Sequence, residues 1–197
     1  MGRKSKAREK IINVAQRFFL QNSYESVSVD KICQAADVKK GSFYHFFPSK
    51  EDLLLAVIDA NWEYMKQSIF YTAFDKSTPP LERIKKYFEM LHGLSIETQV
   101  QFGGAVACPI GVFAMEVRVI DKRVQQKVGE TLTRFEKYFE AALRDAQEQG
   151  DVSPGLDVKL GAQMLVAYMQ GMLLVSKSKD DAELIKKLSE GALKLIQ

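Results

Sequence analysis

VSVDKICQAADVKKGSFYHFFPSKEDL, from Val27 to Leu53, is the stretch whose reading decides the fold. Ser28 suits a helix N-cap, because its oxygen can accept from an orphan amide one turn on. Asp30 suits the positive end of that helix's dipole. The helix ends near Ala36. A second short helix covers about Lys39 to Phe46 and stops before Pro48, which disfavours helical geometry in the residue ahead of it. Ser49-Lys50-Glu51-Asp52 then opens a further helix with a capping-box-like pattern. The second short helix carries cations, hydroxyls, a histidine and aromatics. A short helix held rigidly against another, polar on its outer face, is a layout that enters a DNA major groove.

Charge distribution agrees with that layout better than composition does. The net charge of the 197 residues is only +3. Residues 1–53 hold ten Lys/Arg against six Asp/Glu, whereas the rest of the chain is slightly acidic. Arg3, Lys4, Lys6, Arg8 and Lys10 crowd the first ten residues, a run that favours phosphate contact through counterion release or stands as a solvated terminus. Hydrophobic content of 46% and charged content of 27% are those of an ordinary globular chain with a sizeable core. The basic N-terminus lacks a signal peptide's apolar core. The apolar run Ala105–Met115 is too short to span a bilayer and contains Pro109 and Gly111. Cys33 and Cys108 give neither a disulfide framework nor a metal site. A cytoplasmic protein with reduced thiols, no cofactor, no metal and no membrane partner is expected.

Helical periodicity dominates, with no sustained apolar–polar alternation and no hairpin dipeptide. The expected class is all-α, about nine helices. Ile11, Ile12, Val14, Ala15, Phe18 and Phe19 form an apolar stripe on a first helix, Ser5–Gln21. The helix opened at Ser49 runs through Leu53, Leu54, Val57, Ile58, Trp62 and Met65 to about Ile69. Asp75–Pro80 is a linker, and Pro79-Pro80 primes a helix over Leu81–Ser95. After a break at Gln99–Gly104 come an interrupted helix over Ala105–Val119 and a long one over Asp121–Gln149. Helices over Asp157–Ser176 and Asp180–Ile196 close the chain.

Val29-Asp30-Lys31-Ile32, Ala36-Asp37-Val38, Lys40-Gly41-Ser42-Phe43-Tyr44-His45-Phe46-Phe47 and Pro48-Ser49-Lys50-Glu51 together resemble the N-terminal domain of the TetR family of transcriptional repressors. The match is dense over about Ile11–Leu54. The resemblance implies a three-helix DNA-binding domain over residues 1–50 and a ligand-binding and dimerisation domain over residues 51–197. Asp37 stands where the family has Gly, and Asp tolerates left-handed geometry better than most residues. Phe43 stands where Leu is common.

Ile32, Ala35, Ala36 and Val38 are small or branched groups that pack the two short helices. Lys39 and Lys40 can meet phosphate or guanine edges, and Ser42 a base or phosphate. Tyr44 and His45 resemble the family's phosphate-contacting pair. Lys50 adds a cation to helix amides already aimed at an anion, and Ser28 can do the same besides capping. Gly41 has two readings, close approach to DNA or a packing constraint. His45 also has two, DNA contact or a buried, satisfied imidazole. His92 reads as an isolated core histidine. Phe43, Phe46 and Phe47 read as core.

Past Leu54 the resemblance thins. Leu160–Val175 is apolar on nearly all sides, so both faces need cover. Gly161, Ala162, Ala167 and Gly171 permit close helix approach. With Leu184, Ile185, Leu188, Ala192 and Leu195, a homodimer through the last two helices is expected, and two-fold symmetry fits a palindromic operator of double-stranded DNA. Phe102, Cys108, Met115, Tyr138, Met164 and Tyr168 are the candidate lining for a small apolar or aromatic effector. Ala107-Cys108-Pro109-Ile110-Gly111 resembles a segment of some electrophile-responsive members, so Cys108 reads either as a reactive thiol or as a small buried hydrophobe. An enzyme is not expected, for the chain has no phosphate-binding glycine loop, no zinc helix pair and no nucleophile elbow.

Overall fold

The computed structural model describes residues 3–105, 107–116 and 122–196, with side chains from residue 6 onward. Nine α-helices and no strand lie among the described residues. They are α1 (Arg3–Gln21), α2 (Val29–Ala36), α3 (Lys40–Phe46), α4 (Lys50–Met65), α5 (Pro80–Phe102), α6 (Pro109–Glu116), α7 (Lys122–Gln149), α8 (Val158–Lys179) and α9 (Glu183–Ser189). α4 continues through a π-helical turn, Lys66–Phe70, and a last turn, Tyr71–Ala73, and the chain closes with a 3-10 turn, Ala192–Leu195.

The chain divides into two compact units, a head of residues 1–64 with 109–129 and a body of residues 65–108 with 130–197. The expectation was a single cut after residue 50; here α6 and the start of α7 join the head. In the head, α1 buries Ile11, Ile12, Ala15 and Phe19, the stripe expected from its spacing. Ile32, Cys33 and Ala36 of α2, Phe43 and Phe47 around α3, and Leu53, Leu54, Val57 and Ile58 of α4 are buried as well. Ile110 and Phe113 of α6 and Val124 and Val128 of α7 are buried in the head too, among the described residues beyond 64.

The body is built around rings. Phe70, Phe74, Tyr87, Phe88, Phe135, Tyr138 and Phe139 form a continuous cluster with centroid separations of 4.8–6.1 Å. Tilted and edge-to-face pairs such as Tyr87–Phe139, at 4.9 Å and 79°, suit the ring quadrupole. Beside this cluster Arg83 is a buried staple. Its guanidinium donates to the Asp145 carboxylate, to the Thr78 carbonyl at 2.7 Å and to the Lys76 carbonyl at 3.1 Å. α8 enters the core where Gly161 lies; a Cβ there would stand 3.1 Å from Leu143 Cδ1. That close approach is what the small residues at 161 and 162 allow.

α8 is long and apolar enough to cross a membrane by length and composition alone. Its faces show another use. Ala162, Leu165, Val166, Met169, Met172 and Leu173 are buried within the body, while Leu160, Met164, Leu174 and Val175 are exposed on the opposite side, with Ala167 and Gly171 between them.

Several boundaries differ from those expected. α5 runs on to Phe102 because nothing breaks it before Gly103, which ends it in left-handed geometry (φ 73). α6 starts at Pro109, a residue preorganised for a first turn. The expected continuation of that helix to Val119, and the expected start of the next at Asp121, lie outside the described residues. The closing helix is split. Asp180 ends α8 with φ 50, its side chain accepting from the Ala105 amide at 2.7 Å. At Gly191 a Cβ would stand 2.6 Å from the Tyr168 hydroxyl, so the chain turns where a contact across the body demands glycine.

Candidate nucleic-acid interface

The head presents one polar helix on an apolar support. Ser28 caps α2 as expected, its side chain accepting from Lys31 N at 3.2 Å. Asp37 takes the left-handed position (φ 55, ψ 50) that ends α2, so the departure from Gly leaves the turn intact. The Val38 amide donates to the Cys33 carbonyl at 3.0 Å and starts the chain back toward α3. Lys39 is the N-cap residue of α3, one position ahead of the helix itself. Burial, seconded by the charge of Asp30, pushes the Cys33 thiol up from its ordinary pKa, which befits a core residue of α2.

α3 buries Phe43 and leaves Lys40, Gly41, Ser42, Tyr44 and His45 exposed, with Lys39 exposed beside them. Phe47 is buried and Phe46 half-buried, with His45 edge-on to Phe46 at 5.1 Å. The buried-imidazole reading of His45 therefore does not hold. Nor does the packing reading of Gly41. No atom lies within 4 Å of where its Cβ would stand, and its φ is not in the left-handed range. Among the described residues nothing requires glycine there, so the packing reading has no support and the reading as close approach to DNA is the one left. Lys40 pairs with Asp30 at 2.8 Å, both groups exposed, and this hydrogen bond raises its pKa. An exposed pair of this kind is weak and exchangeable for phosphate.

Lys50 is placed differently from its expected phosphate role. Its ammonium donates to the Tyr24 carbonyl and lies 4.0 Å from the centroid of the Tyr24 ring. Burial lowers its pKa, while Glu51, Glu25 and Glu116 oppose that shift. The capping pattern behind it is real. Ser49 Oγ accepts from the Asp52 amide at 3.1 Å and donates to Asp52 Oδ2 at 2.8 Å, and Arg123 pairs with Asp52 Oδ1 at 2.9 Å. Of the basic N-terminal run, Arg8 sits 5.4 Å from the Phe47 ring centroid; Arg3 and Lys4 have side chains outside those described.

The six effector candidates have different surroundings within their own units. Tyr138 alone belongs to the aromatic cluster, 4.8 Å from Phe70. Phe102 is half-buried at the end of α5. Cys108 is buried and accepts from Gln170 Nε2 at 3.4 Å. Tyr168 donates to the Leu188 carbonyl at 2.6 Å, a packing role. Met164 lies on the outer face of α8, and Met115, on α6 in the head, is 72% exposed. Helical phase turns both methionines outward, which their residue type could not reveal. His92 is half-buried, with Nε2 3.4 Å from a Glu183 carboxylate oxygen, but in poor hydrogen-bond geometry. Sequence reasoning undervalued Tyr87. Its ring is fully buried in the cluster and its hydroxyl has no hydrogen-bond partner among the described residues. Burial first, and Cys108 second, raise its pKa. Gln170 was missed because glutamine on an apolar helix gives no periodic signal.

Comparison with known proteins accounts for both parts of the chain. Residues 11–57 match the model of bacterial regulatory proteins of the tetR family, and residues 80–191 match the tetracyclin repressor-like C-terminal domain. The HTH-type transcriptional repressor DhaR of Mycobacterium sp. (strain GP1) is 30% identical over 89% of this chain and 85% of its own. The fatty acid metabolism regulator protein of Bacillus subtilis (strain 168) is 27% identical over 94% and 91%. The crystal structure of regulatory protein TetR from Rhodobacter sphaeroides superposes with a TM-score of 0.85 at 26% identity, covering 97% of this chain and 99% of that one. Such regulators are DNA-binding transcription factors and not enzymes, and they typically form dimers that respond to small molecules. With a polar, glycine-bearing α3 on its head and matches over both parts, the chain belongs to the tetR family of bacterial regulatory proteins.

Proposed function

We propose that this protein is a homodimeric cytoplasmic repressor, released from a palindromic operator by a small apolar or aromatic effector. Residues 1–50 serve DNA reading and residues 51–197 serve effector binding and dimerisation. Open space at Gly41, amid the exposed Lys39, Lys40, Ser42, Tyr44 and His45, is the observation that carries the reading. A β-carbon is missing where a groove wall would come closest, and donors flank it. Ser28, exposed at the start of α2, has its side chain occupied as a cap and adds at most a phosphate contact.

The outer face of α8 supports the dimer. Leu160, Met164, Ala167, Gly171, Leu174 and Val175 recur at helical spacing on one side and are exposed among the described residues. α9 contributes beside it. Two heads related by a two-fold axis then meet two successive major-groove half-sites. An effector that binds the non-DNA arrangement about 100-fold more tightly shifts the equilibrium by roughly 2.7 kcal/mol. α4, which contributes residues to both units, would carry that shift.

The body's ring cluster, with the unpartnered Tyr87 hydroxyl inside it, favours an effector that is mainly apolar and offers one hydrogen-bond acceptor. The test is operator binding by anisotropy, on a duplex selected by the wild-type protein from random DNA. Lys39→Ala, Ser42→Ala and Tyr44→Phe should each weaken binding while the thermal midpoint stays put. Wild-type affinity in all three would refute the assignment of α3.

A second reading, a thiol-sensing repressor switched through Cys108, is favoured by one contact. The Gln170 amide donates to the Cys108 sulfur and orients it. Operator release by peroxide in wild type but not in Cys108→Ser would establish it over reversible binding. Release in both would exclude it.

A further inference from the structure

We propose that Glu116, the last residue of α6, is a positioning residue for DNA reading. It acts from outside the helix-turn-helix by holding the backbone of the α1–α2 loop. The Tyr24 amide donates to Glu116 Oε2 at 2.5 Å, across 92 positions of sequence. Tyr24 is also gripped at its carbonyl and ring face by Lys50, and its ring packs on Phe19 at 5.2 Å. Phe19 in turn meets Phe113 edge-on at 6.3 Å. Phe113 and Glu116 are three residues apart on α6, hence on the same face. One face of one short helix thus reaches this loop directly through a charge-assisted hydrogen bond, and through the α1 ring of Phe19 on which Tyr24 packs.

The loop it holds decides where α2 begins. The Val27 amide donates to the Tyr24 carbonyl at 3.3 Å, and the Ser26 amide to the Ser23 carbonyl at 3.2 Å. This turn delivers Ser28 to its cap position, from which Lys31 N is bonded. A rotation of the Tyr24 peptide would carry Val27 and Ser28 with it and tilt α2. α3 is joined to α2 through the Asp37 turn and would tilt too. Direct readout tolerates only about 0.5 Å of such movement. Glu116 has a second effect through Lys50. Burial disfavours that ammonium, and Glu116 is among the charges that sustain it at the Tyr24 carbonyl. Both backbone polar groups of one residue, Tyr24, are therefore held by side chains of opposite charge, one from α4 and one from α6.

The inference rests on α3 as the reading helix, and the experiment separates the two. The full-length protein is titrated with a duplex selected by the wild type from random DNA, and with an unselected duplex of equal length. Thermal midpoint and Tyr24 amide exchange are measured alongside. Losing a hydrogen bond to a charged group costs roughly 10- to 100-fold. Glu116→Ala should therefore bind the selected duplex at least about tenfold more weakly. Its affinity for unselected DNA should hold, because Lys39 and Lys40 still meet phosphate. The Tyr24 amide should lose protection, and Glu116→Gln, which keeps an acceptor at the same reach, should recover most of the loss. Wild-type affinity in Glu116→Ala overturns the proposal. So does an equal fall on both duplexes that tracks a lower thermal midpoint, with no rescue by Gln. Lys40→Ala and Ser42→Ala in the same titration report on α3 alone, so a failure there is seen apart from Glu116.

Discussion

α3 and α8 treat their outward faces in opposite ways. α3 is seven residues long, buries Phe43 and turns cations, hydroxyls and a histidine to solvent. α8 is 22 residues long and apolar on both sides, its inner face in the body core and its outer face bare. Outward polar groups on α3 add little to the head's own stability, for the Lys40–Asp30 pair is exposed and weak, which leaves them free for the DNA reading proposed above. The outer face of α8 asks for cover by another apolar surface. The aromatic cluster stands at the other extreme from both, since its rings pack on one another and only the Tyr87 hydroxyl is left over among the described residues. Function is visible where a side chain lacks an internal job and hidden where packing would choose the same residue.

That contrast breaks first, if it breaks, in the body. Arg83→Ala removes the donor that serves Asp145, Thr78 and Lys76. Asp145 is left 29% exposed at its side chain, so water compensates part of the loss. About 3 kcal/mol of destabilisation is expected. That corresponds to a fall of roughly 6–12 °C in thermal midpoint for a chain of this length. At a temperature where the variant is folded, its operator affinity should match wild type. A weaker operator affinity in the folded variant would mean that stability and reading are not separable as the contrast requires.

Leu174→Lys tests the bare face of α8. Leu174 is 53% exposed in the single chain, so a lysine there costs the fold little. In a two-fold interface it places two like charges in apolar surroundings. Sedimentation should show a monomer. Operator affinity should drop about 100-fold, because two linked heads become one. A dimeric Leu174→Lys would move the interface elsewhere.

How much was legible follows the same division. Ser28, Asp37, Ser49 and Asp52 are where the local rules place them, because capping and left-handed geometry depend on a few adjacent residues. The polar strip on α3 was legible for that reason too. Gly41 has two readings in sequence, and the open space where its Cβ would stand removes support from the packing one. What could not be read was whatever depends on partners far along the chain. Lys50 is drawn to Tyr24, and Glu116 reaches the Tyr24 amide, through folding that no spacing encodes. Met115 and Met164 have the residue type of a lining but the wrong helical phase. Tyr168 is taken up by Leu188 and forces the glycine at 191.

Gly41→Ala sharpens the head's side of the comparison. The added methyl meets no atom of the chain, and alanine favours helix over glycine by up to about 1 kcal/mol. The thermal midpoint should hold or rise. Operator affinity should fall about tenfold if a groove wall occupies that space. Gly41→Val, larger and β-branched, should extend the loss. A variant that is more stable and binds as well as wild type would return Gly41 to chance.

Tyr87→Phe is the smallest change and bears most directly on the body. It deletes one oxygen from a ring that is 0% exposed and whose hydroxyl has no partner. A buried hydroxyl without a hydrogen bond costs about 1–3 kcal/mol, so its removal should leave stability unchanged or raise it by about 1 kcal/mol. Packing alone would therefore favour Phe, the residue already present at 70, 74, 88, 135 and 139. On the proposed function, the hydroxyl meets an acceptor brought by the effector. Tyr87→Phe should respond to effector several-fold more weakly while binding operator normally. If release is unaltered and only stability rises, the hydroxyl has no part in effector binding and the ring is core like its neighbours.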